Sequence, residues 1–391
     1  MNVFKNLFKA NFFTTGLAMF AMFFGSGNLI FPVAIGQFAG VQTPWALLGL
    51  FLTAILMPFV ALIIMLFLNS DHKNFFSQVG FLPGKLISFI ILALIGPFGV
   101  LPRCIAFSYS TFALYFESLN LTIYCFISCV LILILSYRKS DVVGVIGNVL
   151  TPVLIISLIV IIIQGLSADN LSIDKQNTNS NLFIMKHGFI EGYKTFDIFA
   201  ALFFAAAIIP DFNNILGNKL KTSKKAILNL ALKSSLVGAG ILFFVYAGLS
   251  LVAANLRGGL IGVEGDKLLG VIAAITMGDT AGLLANIVVS LACLTTAISL
   301  ALVSSEFFKK EIFLEKVSYE KSLLLVMVIS FLVSLLGFSG IMTMVLPVLK
   351  ILCPAVIVLI LATILKLIFN FSYAKQSFYS ALIISLLFNL L

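Results

Sequence analysis

Long apolar runs, separated by short polar stretches, constrain the fold of this chain more than any other feature of its sequence. The runs are about 17 to 30 residues long, enough to cross a hydrocarbon core of ~30 Å as helices. Backbone groups inside lipid must be hydrogen bonded within their own segment, so helices are expected. The strict alternation that marks a membrane β-barrel does not occur. The sequence therefore predicts an all-α polytopic membrane protein with a single domain over residues 1–391.

The composition supports membrane insertion over a soluble fold. Hydrophobic residues make up 61% of the 391 residues and charged residues only 10%, whereas a soluble domain carries roughly a quarter of charged residues. All five cysteines lie in apolar runs without metal-ligand spacing, and both histidines, His72 and His187, fall in predicted loops. No nucleophile and base can meet at membrane depth. We therefore expect no enzyme, no disulfide framework and no cofactor.

The apolar runs divide the chain into about eleven spans. The first follows Lys5 and Lys9 and continues to Phe31, longer than the core of about 7–15 residues of a signal peptide, so it is retained as a helix. The polar stretch from Ser167 to His187 is interpreted as an external loop joining two halves. The predicted spans are 9–35, 44–68, 85–115, 119–136, 143–165, 189–213, 226–255, 280–305, 322–337, 343–368 and 376–391.

Lysine and arginine residues are distributed unevenly between the two sides of these spans. With the N-terminus inside, seventeen lie in internal segments and five in external ones, while Arg103 and Lys350 lie within spans. Because cytoplasmic loops are enriched in Lys and Arg, this asymmetry predicts a cytoplasmic N-terminus in the cell (inner) membrane. The net charge of +9 is explained by topology and by attraction to the lipid bilayer, without nucleic acid as a partner.

The middle of the first span is the strongest candidate for a binding site. Residues 20–32 read FAMFFGSGNLIFP, in which Gly25, Ser26, Gly27 and Asn28 are poor helix formers. A break there frees amides on the outer half-helix for a carboxylate and carbonyls on the inner half for a cation. The alternative is a small-residue packing seam between helices. Asn28 and the nearby Pro32 favour the break.

The sixth span offers a partner for the first. Residues 199–210 read FAALFFAAAIIP, with small residues after a Phe-Phe pair and a proline further on, as in residues 20–32. If span six repeats span one, five spans separate them, as an inverted five-plus-five repeat requires. The predicted repeats are 9–165 and 189–368, followed by a terminal span at 376–391. Ala and Phe are abundant in this chain, so the similarity needs outside support.

The eighth span carries a polar face in an otherwise aliphatic helix. Ala292, Thr295, Thr296 and Ser299 lie at i, i+3, i+4 and i+7 and share one side. Hydroxyl and carbonyl oxygens suit a small hard cation such as Na⁺. The alternative is that each hydroxyl bonds to a carbonyl of its own helix.

Charged residues within spans are costly and therefore informative, at roughly 2.5–3.5 kcal/mol each at the bilayer centre. Arg103 lies within span three and Asp197 lies in span six. Either can gate a pathway or polarise a site, or the two can form a structural ion pair. Lys350 receives no role.

These residues make the chain resemble the branched-chain amino acid:cation symporter family. The resemblance rests on residues 20–32, on IGPFGVLPR at 95–103, on GYKTFDIFAA at 192–201 and on LACLTTAI at 291–298. It implies the fold of the amino acid–polyamine–organocation superfamily, with two inverted five-helix repeats and broken first and sixth helices. Family members usually have twelve spans, whereas this chain stops after a short eleventh, which affects oligomer packing more than transport.

The resemblance also implies roles for individual residues. Gly25, Ser26 and Gly27, with Asn28, match the unwound segment that holds a substrate carboxylate. A second set of matches covers the rest of the site: Tyr109 would close on the substrate, Phe199 and Phe203 would line the side-chain pocket, and Ala21, Phe24, Ala292, Thr295 and Thr296 would bind Na⁺.

The expected function is import of leucine, isoleucine and valine, coupled to Na⁺ by alternating access. A close alternative keeps the fold and uses H⁺, or carries another neutral amino acid such as methionine. A channel is a distant alternative, because no ring of acidic residues or repeated filter motif is present. The chain has no Walker-type loop, so it cannot itself use ATP.

Overall fold

The fold is entirely helical within the residues that the computed structural model describes, which are 11–116, 118–137, 151–168, 179–217 and 223–390. This confirms the predicted all-α class. The α-helices are α1 Phe12–Phe23, α2 Ser26–Ala39, α3 Thr43–Phe51, α4 Met57–Phe67, α5 His72–Ser77, α6 Phe81–Ile95, α7 Val100–Ala113, α8 Leu121–Tyr137, α9 Thr151–Ser167, α10 Asn181–Tyr193, α11 Asp197–Leu216, α12 Lys224–Asn255, α13 Leu268–Phe307, α14 Tyr319–Ser334, α15 Gly337–Phe369 and α16 Ala374–Leu390.

Each predicted span coincides with one helix or with a pair of helices. Span one is α1 with α2, span two is α3 with α4, span three is α6 with α7, and span six is α10 with α11. Spans four and five are α8 and α9, and spans seven to eleven are α12 to α16 in order. Residues 143–150 of predicted span five lie outside the described part.

Length and hydropathy support a multi-pass membrane protein. Five helical stretches of the described part are long and apolar enough to cross a membrane, and the bent pair α10–α11 makes a sixth. Four further apolar helices of 10–17 residues are α1, α8, residues 154–167 of α9, and residues 268–278 of α13. Spans one and six both contain a break, as the predicted fold class requires. The limits of the two repeats remain a prediction.

Three spans differ from the sequence prediction in where they begin or break. Span six starts at Asn181, within the predicted external loop, because the Ser180 side chain accepts a hydrogen bond from the Phe183 amide and caps the helix. Span eight starts at Leu268 and has a kink at Gly278, where φ is +73°. Span three is divided between Ile95 and Val100.

Small residues allow the central helices to pack closely. The long helix α12 lies along both α1 and α2, and α10 lies against α3. A Cβ atom at Gly36 would overlap the Ser250 carbonyl oxygen, and one at Gly188 would overlap that of Ala46. Close backbone contact through glycine is the usual way in which helices associate in lipid. It fixes the two broken spans against spans two and seven.

Candidate functional site

The break in span one is shorter than predicted. Helix α1 ends at Phe23, Phe24 and Gly25 are extended, and α2 starts at Ser26. Ser26, Gly27 and Asn28 therefore form the first turn of α2 instead of an unwound loop. The Gly25 amide donates to Asn28 Oδ1 at 3.0 Å. In a continuous helix that amide would bond to the Ala21 carbonyl, so the break leaves this carbonyl without its intrahelical donor.

Side chains from two other spans lie close to the backbone at Gly25 and Gly27, which have no side chain of their own. A Cβ atom at Gly25 would lie 2.7 Å from Thr296 Oγ1 of span eight. A Cβ atom at Gly27 would lie 2.7 Å from Arg103 Nη2 of span three. Both distances are far below ordinary van der Waals contact, so a larger residue at either position would force the neighbouring side chain to shift.

The break in span six is wider and turns the chain. Helix α10 ends at Tyr193, α11 begins at Asp197, and the two helices are bent by 43°. Phe196 takes the left-handed conformation, with φ of +67°. This conformation is unusual for a bulky side chain, so the surrounding contacts must hold it.

Arg103 binds the carbonyl end of α10, the first half of span six. Its Nη1 donates to the Lys194 carbonyl at 2.6 Å and its Nη2 to the Thr195 carbonyl at 3.4 Å. Its Nε donates to Ser26 Oγ at 3.2 Å, which connects the same guanidinium to span one. A cation at carbonyls without intrahelical partners is favourable. Only 1% of Arg103 is exposed.

The structure does not form the ion pair between Arg103 and Asp197 that the sequence left open. Within the described part of the chain, the Asp197 carboxylate instead accepts from Asn28 Nδ2 at 2.6 Å and from the Tyr246 hydroxyl at 3.4 Å. Asn28 Nδ2 also contacts the Tyr246 hydroxyl. All three residues are buried. Asn28 therefore joins the two breaks directly, and Tyr246 of span seven is a member of the site that the sequence analysis missed.

A small cavity lies between the two breaks. Its volume is about 10 Å³, roughly the space of one water molecule. Arg103 and Asp197 are the charged residues of its wall. The remaining lining residues are Met22, Phe23, Gly25, Ser26, Asn28, Ile95, Val100, Thr195, Phe196, Ala200, Phe204, Thr296 and Leu300. The site is closed in this conformation.

Three of the predicted site residues lie away from this cavity. Phe199 packs against Phe196, and Phe203 packs against His72 and Phe307. Tyr109 donates to the Leu119 carbonyl at 3.1 Å. Their roles in substrate binding stay a prediction; the residues of α11 that face the closed cavity are Asp197, Ala200 and Phe204.

The starting residue of α11 explains why Phe199 and Phe203 do not line the closed cavity. The helix starts at Asp197, so the positions one and two turns later on the same face are Ala200 and Phe204. Phe199 and Phe203 each precede these by one residue and therefore point about 100° away. The sequence alone does not show that the helix starts at Asp197, which sets the side on which each aromatic residue lies.

Four of the predicted Na⁺ ligands form two hydrogen-bonded pairs, Thr296 with Phe24 and Thr295 with Ala292. Thr296 Oγ1 donates to the Phe24 carbonyl at 3.1 Å, which brings span eight to the end of α1. Thr295 Oγ1 donates to the Ala292 carbonyl of the same helix at 2.8 Å. This is the bond expected if the hydroxyl serves its own helix, the alternative given in the sequence analysis. Ala21 lies one turn earlier on α1 and has the free carbonyl described above. The residues thus provide hydroxyl and carbonyl oxygens, the donors that a hard cation prefers.

Comparison with known proteins gives consistent results in sequence and in structure. The family model for branched-chain amino acid transport proteins matches residues 8–391. The branched-chain amino acid permease BrnQ of Corynebacterium glutamicum is 29% identical, over 92% of this chain and 82% of that protein.

Two solved structures have a similar fold. Mhp1, a nucleobase-cation-symport-1 family transporter, matches with a TM-score of 0.65 and 13% identity, over 97% of this chain and 91% of that one. A Na⁺-coupled sialic acid symporter matches with a TM-score of 0.57 and 11% identity, over 96% and 88% of the two chains.

Proposed function

The chain belongs to the family of branched-chain amino acid transport proteins, and on that premise we propose that it imports leucine, isoleucine and valine together with Na⁺ by alternating access. It is a multi-pass membrane transporter and not an enzyme. We also propose that it resides in the cell (inner) membrane with a cytoplasmic N-terminus, as the lysine and arginine asymmetry indicates.

The chemistry of the central cavity is the observation that carries this proposal. Its wall combines one buried basic side chain, Arg103, with one buried acidic side chain, Asp197, and the two form no direct ion pair. A zwitterionic amino acid complements such a wall, with its carboxylate near Arg103 and the start of α2, and its ammonium near Asp197. Phe23, Phe204 and Leu300 supply the apolar contacts that an aliphatic side chain needs.

The closed state of the cavity supports a mechanism in which the helices move. A volume of about 10 Å³ cannot hold a branched-chain amino acid. Spans one and six must therefore separate from their neighbours to admit substrate, first on one side of the membrane and then on the other. The helix breaks provide the points at which the half-helices can change angle.

Na⁺ is proposed to bind between α1 and α13. The Ala21 and Phe24 carbonyls, the Ala292 carbonyl and the Thr295 and Thr296 hydroxyls would bind it. One Na⁺ moving down 100 mV supplies about 2.3 kcal/mol, and a tenfold gradient adds about 1.4 kcal/mol. With tight coupling, ~3.7 kcal/mol supports roughly 500-fold accumulation of substrate.

Uptake of labelled leucine into proteoliposomes tests the function. We expect uptake with an inward Na⁺ gradient, competed by isoleucine and valine. Uptake that is unchanged when K⁺ replaces Na⁺ at constant pH would rule out sodium coupling. A failure of all three branched-chain amino acids to compete would rule out the substrate assignment.

The double substitution Thr295→Val with Thr296→Val tests the ion site. It removes both hydroxyls at nearly constant volume, so we expect the Na⁺ concentration for half-maximal uptake to rise at least tenfold. Ser299→Ala is the matched control, because the Ser299 hydroxyl donates to the Thr295 carbonyl of its own helix. An unchanged Na⁺ requirement in the double variant would mean that the hydroxyls serve helix packing.

Proton coupling is the second candidate, and Asp197 is the observation that favours it. A buried carboxyl group in the cavity wall can carry a proton between the two sides. Under this alternative, an inward pH gradient drives leucine uptake without Na⁺, and Asp197→Asn abolishes that drive. A broader substrate range, including methionine, is tested in the same competition assay.

A further inference from the structure

A second and larger cavity lies at the membrane end where span three begins, away from the central site. It has a volume of about 510 Å³. It is bounded by α5, by the first two turns of α6, and by the end of α13 with the residues that follow it. None of these residues lines the central cavity.

The positive charge of this cavity comes from lysines. Lys73, Lys85 and Lys310 line it, with Glu311 as the acidic member. Lys73 pairs with Glu311 at 2.8 Å, and Lys310 pairs with Glu306 at 3.6 Å. Lys85 makes no salt bridge with any residue that the structure describes, and its Nζ lies 4.4 Å from the centre of the Phe81 ring. One cation is therefore left without an anion.

Two buried polar atoms of the same cavity also lack partners. Ser88 is 5% exposed and its Oγ has no hydrogen bond. His72 is half-buried, and its buried Nε2 atom also has no hydrogen bond within the described part of the chain. Burial lowers the pKa of His72, so at neutral pH the imidazole is uncharged and the lysines supply the attraction. Lys85 and Ser88 are three residues apart on α6 and face the same way. A buried hydroxyl without a partner costs free energy, which a bound oxyanion would recover.

The flank of the cavity is apolar and faces the surroundings. On α6, Phe81 is 69% exposed, Leu82 74% and Leu86 59%. At a membrane end such side chains lie against lipid acyl chains, whereas a free inorganic anion would make no use of them. Charge and apolar surface thus adjoin at the depth where phospholipid headgroups meet acyl chains.

We propose that this cavity binds the headgroup of an anionic phospholipid. Lys85 pairs with the phosphodiester, the Ser88 hydroxyl donates to one of its oxygens, and the acyl chains lie along Phe81, Leu82 and Leu86. His72, which also packs against Phe203 of span six at 5.6 Å between ring centres, connects the bound lipid to a helix of the central site.

Lipid binding to the full-length purified protein tests the proposal. Native mass spectrometry would compare retention of phosphatidylglycerol with that of phosphatidylcholine of the same chain length. We expect tighter binding of phosphatidylglycerol, and a reduction of about fivefold in Lys85→Gln, the effect of one lysine near an anionic headgroup. Ser88→Ala should reduce the same preference by a smaller factor, and serves as the second variant if Lys85→Gln does not fold.

Lys366→Gln is the matched control, because Lys366 is an exposed lysine at the end of span ten, away from this cavity. It should keep the wild-type lipid preference. If Lys366→Gln and Lys85→Gln lose the preference for phosphatidylglycerol equally, general surface charge explains the binding and the proposed site is wrong. Displacement of the lipid by excess inorganic phosphate would show that the cavity binds a free anion, and would overturn the lipid assignment. An unchanged preference in both cavity variants would also overturn it.

Discussion

The two breaks in spans one and six face the same cavity but are built differently. The break in span one covers Phe24 and Gly25, uses extended backbone, and needs glycine because Thr296 approaches the main chain. The break in span six bends the chain by 43° and places a bulky residue, Phe196, in the left-handed region. There the backbone is held by hydrogen bonds from the Arg103 guanidinium to two carbonyls.

The difference teaches that a helix break in lipid can be maintained in two ways. In span one, close packing of Thr296 leaves no room for a side chain at Gly25, and the Gly25 amide bonds locally to the Asn28 side chain. In span six, the guanidinium of Arg103, which belongs to span three, donates hydrogen bonds to carbonyls that have no partner within their helix. The first design is therefore sensitive to added volume, and the second to the loss of hydrogen-bond donors.

Gly25→Ala should have the largest effect. Its Cβ atom would lie 2.7 Å from Thr296 Oγ1, and forcing extra volume into a packed site costs about 1–3 kcal/mol. We expect leucine uptake to fall by up to roughly a hundredfold. Gly240→Ala is the control, because nothing lies within 4 Å of its added Cβ. Wild-type uptake by the Gly25 variant would show that space does not limit this break.

Arg103→Lys should have the next largest effect. An ammonium group cannot reach Ser26 and two carbonyls with the planar geometry of guanidinium, so one or more carbonyls of the second break lose their donor. We expect uptake to fall at least about tenfold in protein that still elutes as a single folded species. Uptake within twofold of wild type would mean that a point charge is enough at this break.

Phe204→Ala tests whether the cavity-facing side of span six contacts the substrate. The Phe204 ring lines the cavity and lies 5.7 Å from that of Phe23, so its removal should raise the KM for leucine about tenfold by loss of apolar contact. Phe203→Ala is the control, since Phe203 points away from the cavity, and its KM should stay within twofold. The reverse ranking would support the sequence-based assignment of the pocket.

Ser26→Ala should have the smallest effect. It removes the hydrogen bond from Arg103 Nε to span one, at 3.2 Å, and leaves the two carbonyl contacts of span six in place. We expect a loss of roughly threefold to tenfold in uptake. A loss as large as that of Arg103→Lys would show that Arg103 acts mainly on span one.

The sequence was sufficient for the all-α polytopic class because hydropathy is a property of whole segments. The eleven apolar runs, the break near Gly25 and the hydroxyl face of span eight could be found from spacing and residue type. Span six was harder, because Lys186 and His187 made the start of α10 look like a loop. Its helical state depends on Ser180 and on packing against span two, a contact that no local pattern contains.

The details of the site depended on tertiary contacts. Phe199 and Phe203 each lie one residue before Ala200 and Phe204, which line the closed cavity. The start of α11 could not be read from an unbroken aromatic segment. Tyr246 had a possible signal, as a hydroxyl-bearing residue in an apolar span, but its partners lie far away in the sequence. The link from Asn28 to Asp197 joins residues 169 positions apart, beyond any motif.

Asn28 has a consequence for how the transporter can change shape. Its carboxamide oxygen accepts from the Gly25 amide, and its two N–H groups donate to Asp197 and contact the Tyr246 hydroxyl. Opening either break strains bonds that belong to the other. The two events are therefore thermodynamically coupled, and the half-helices should move cooperatively, with one barrier and no stable state in which a single break has opened.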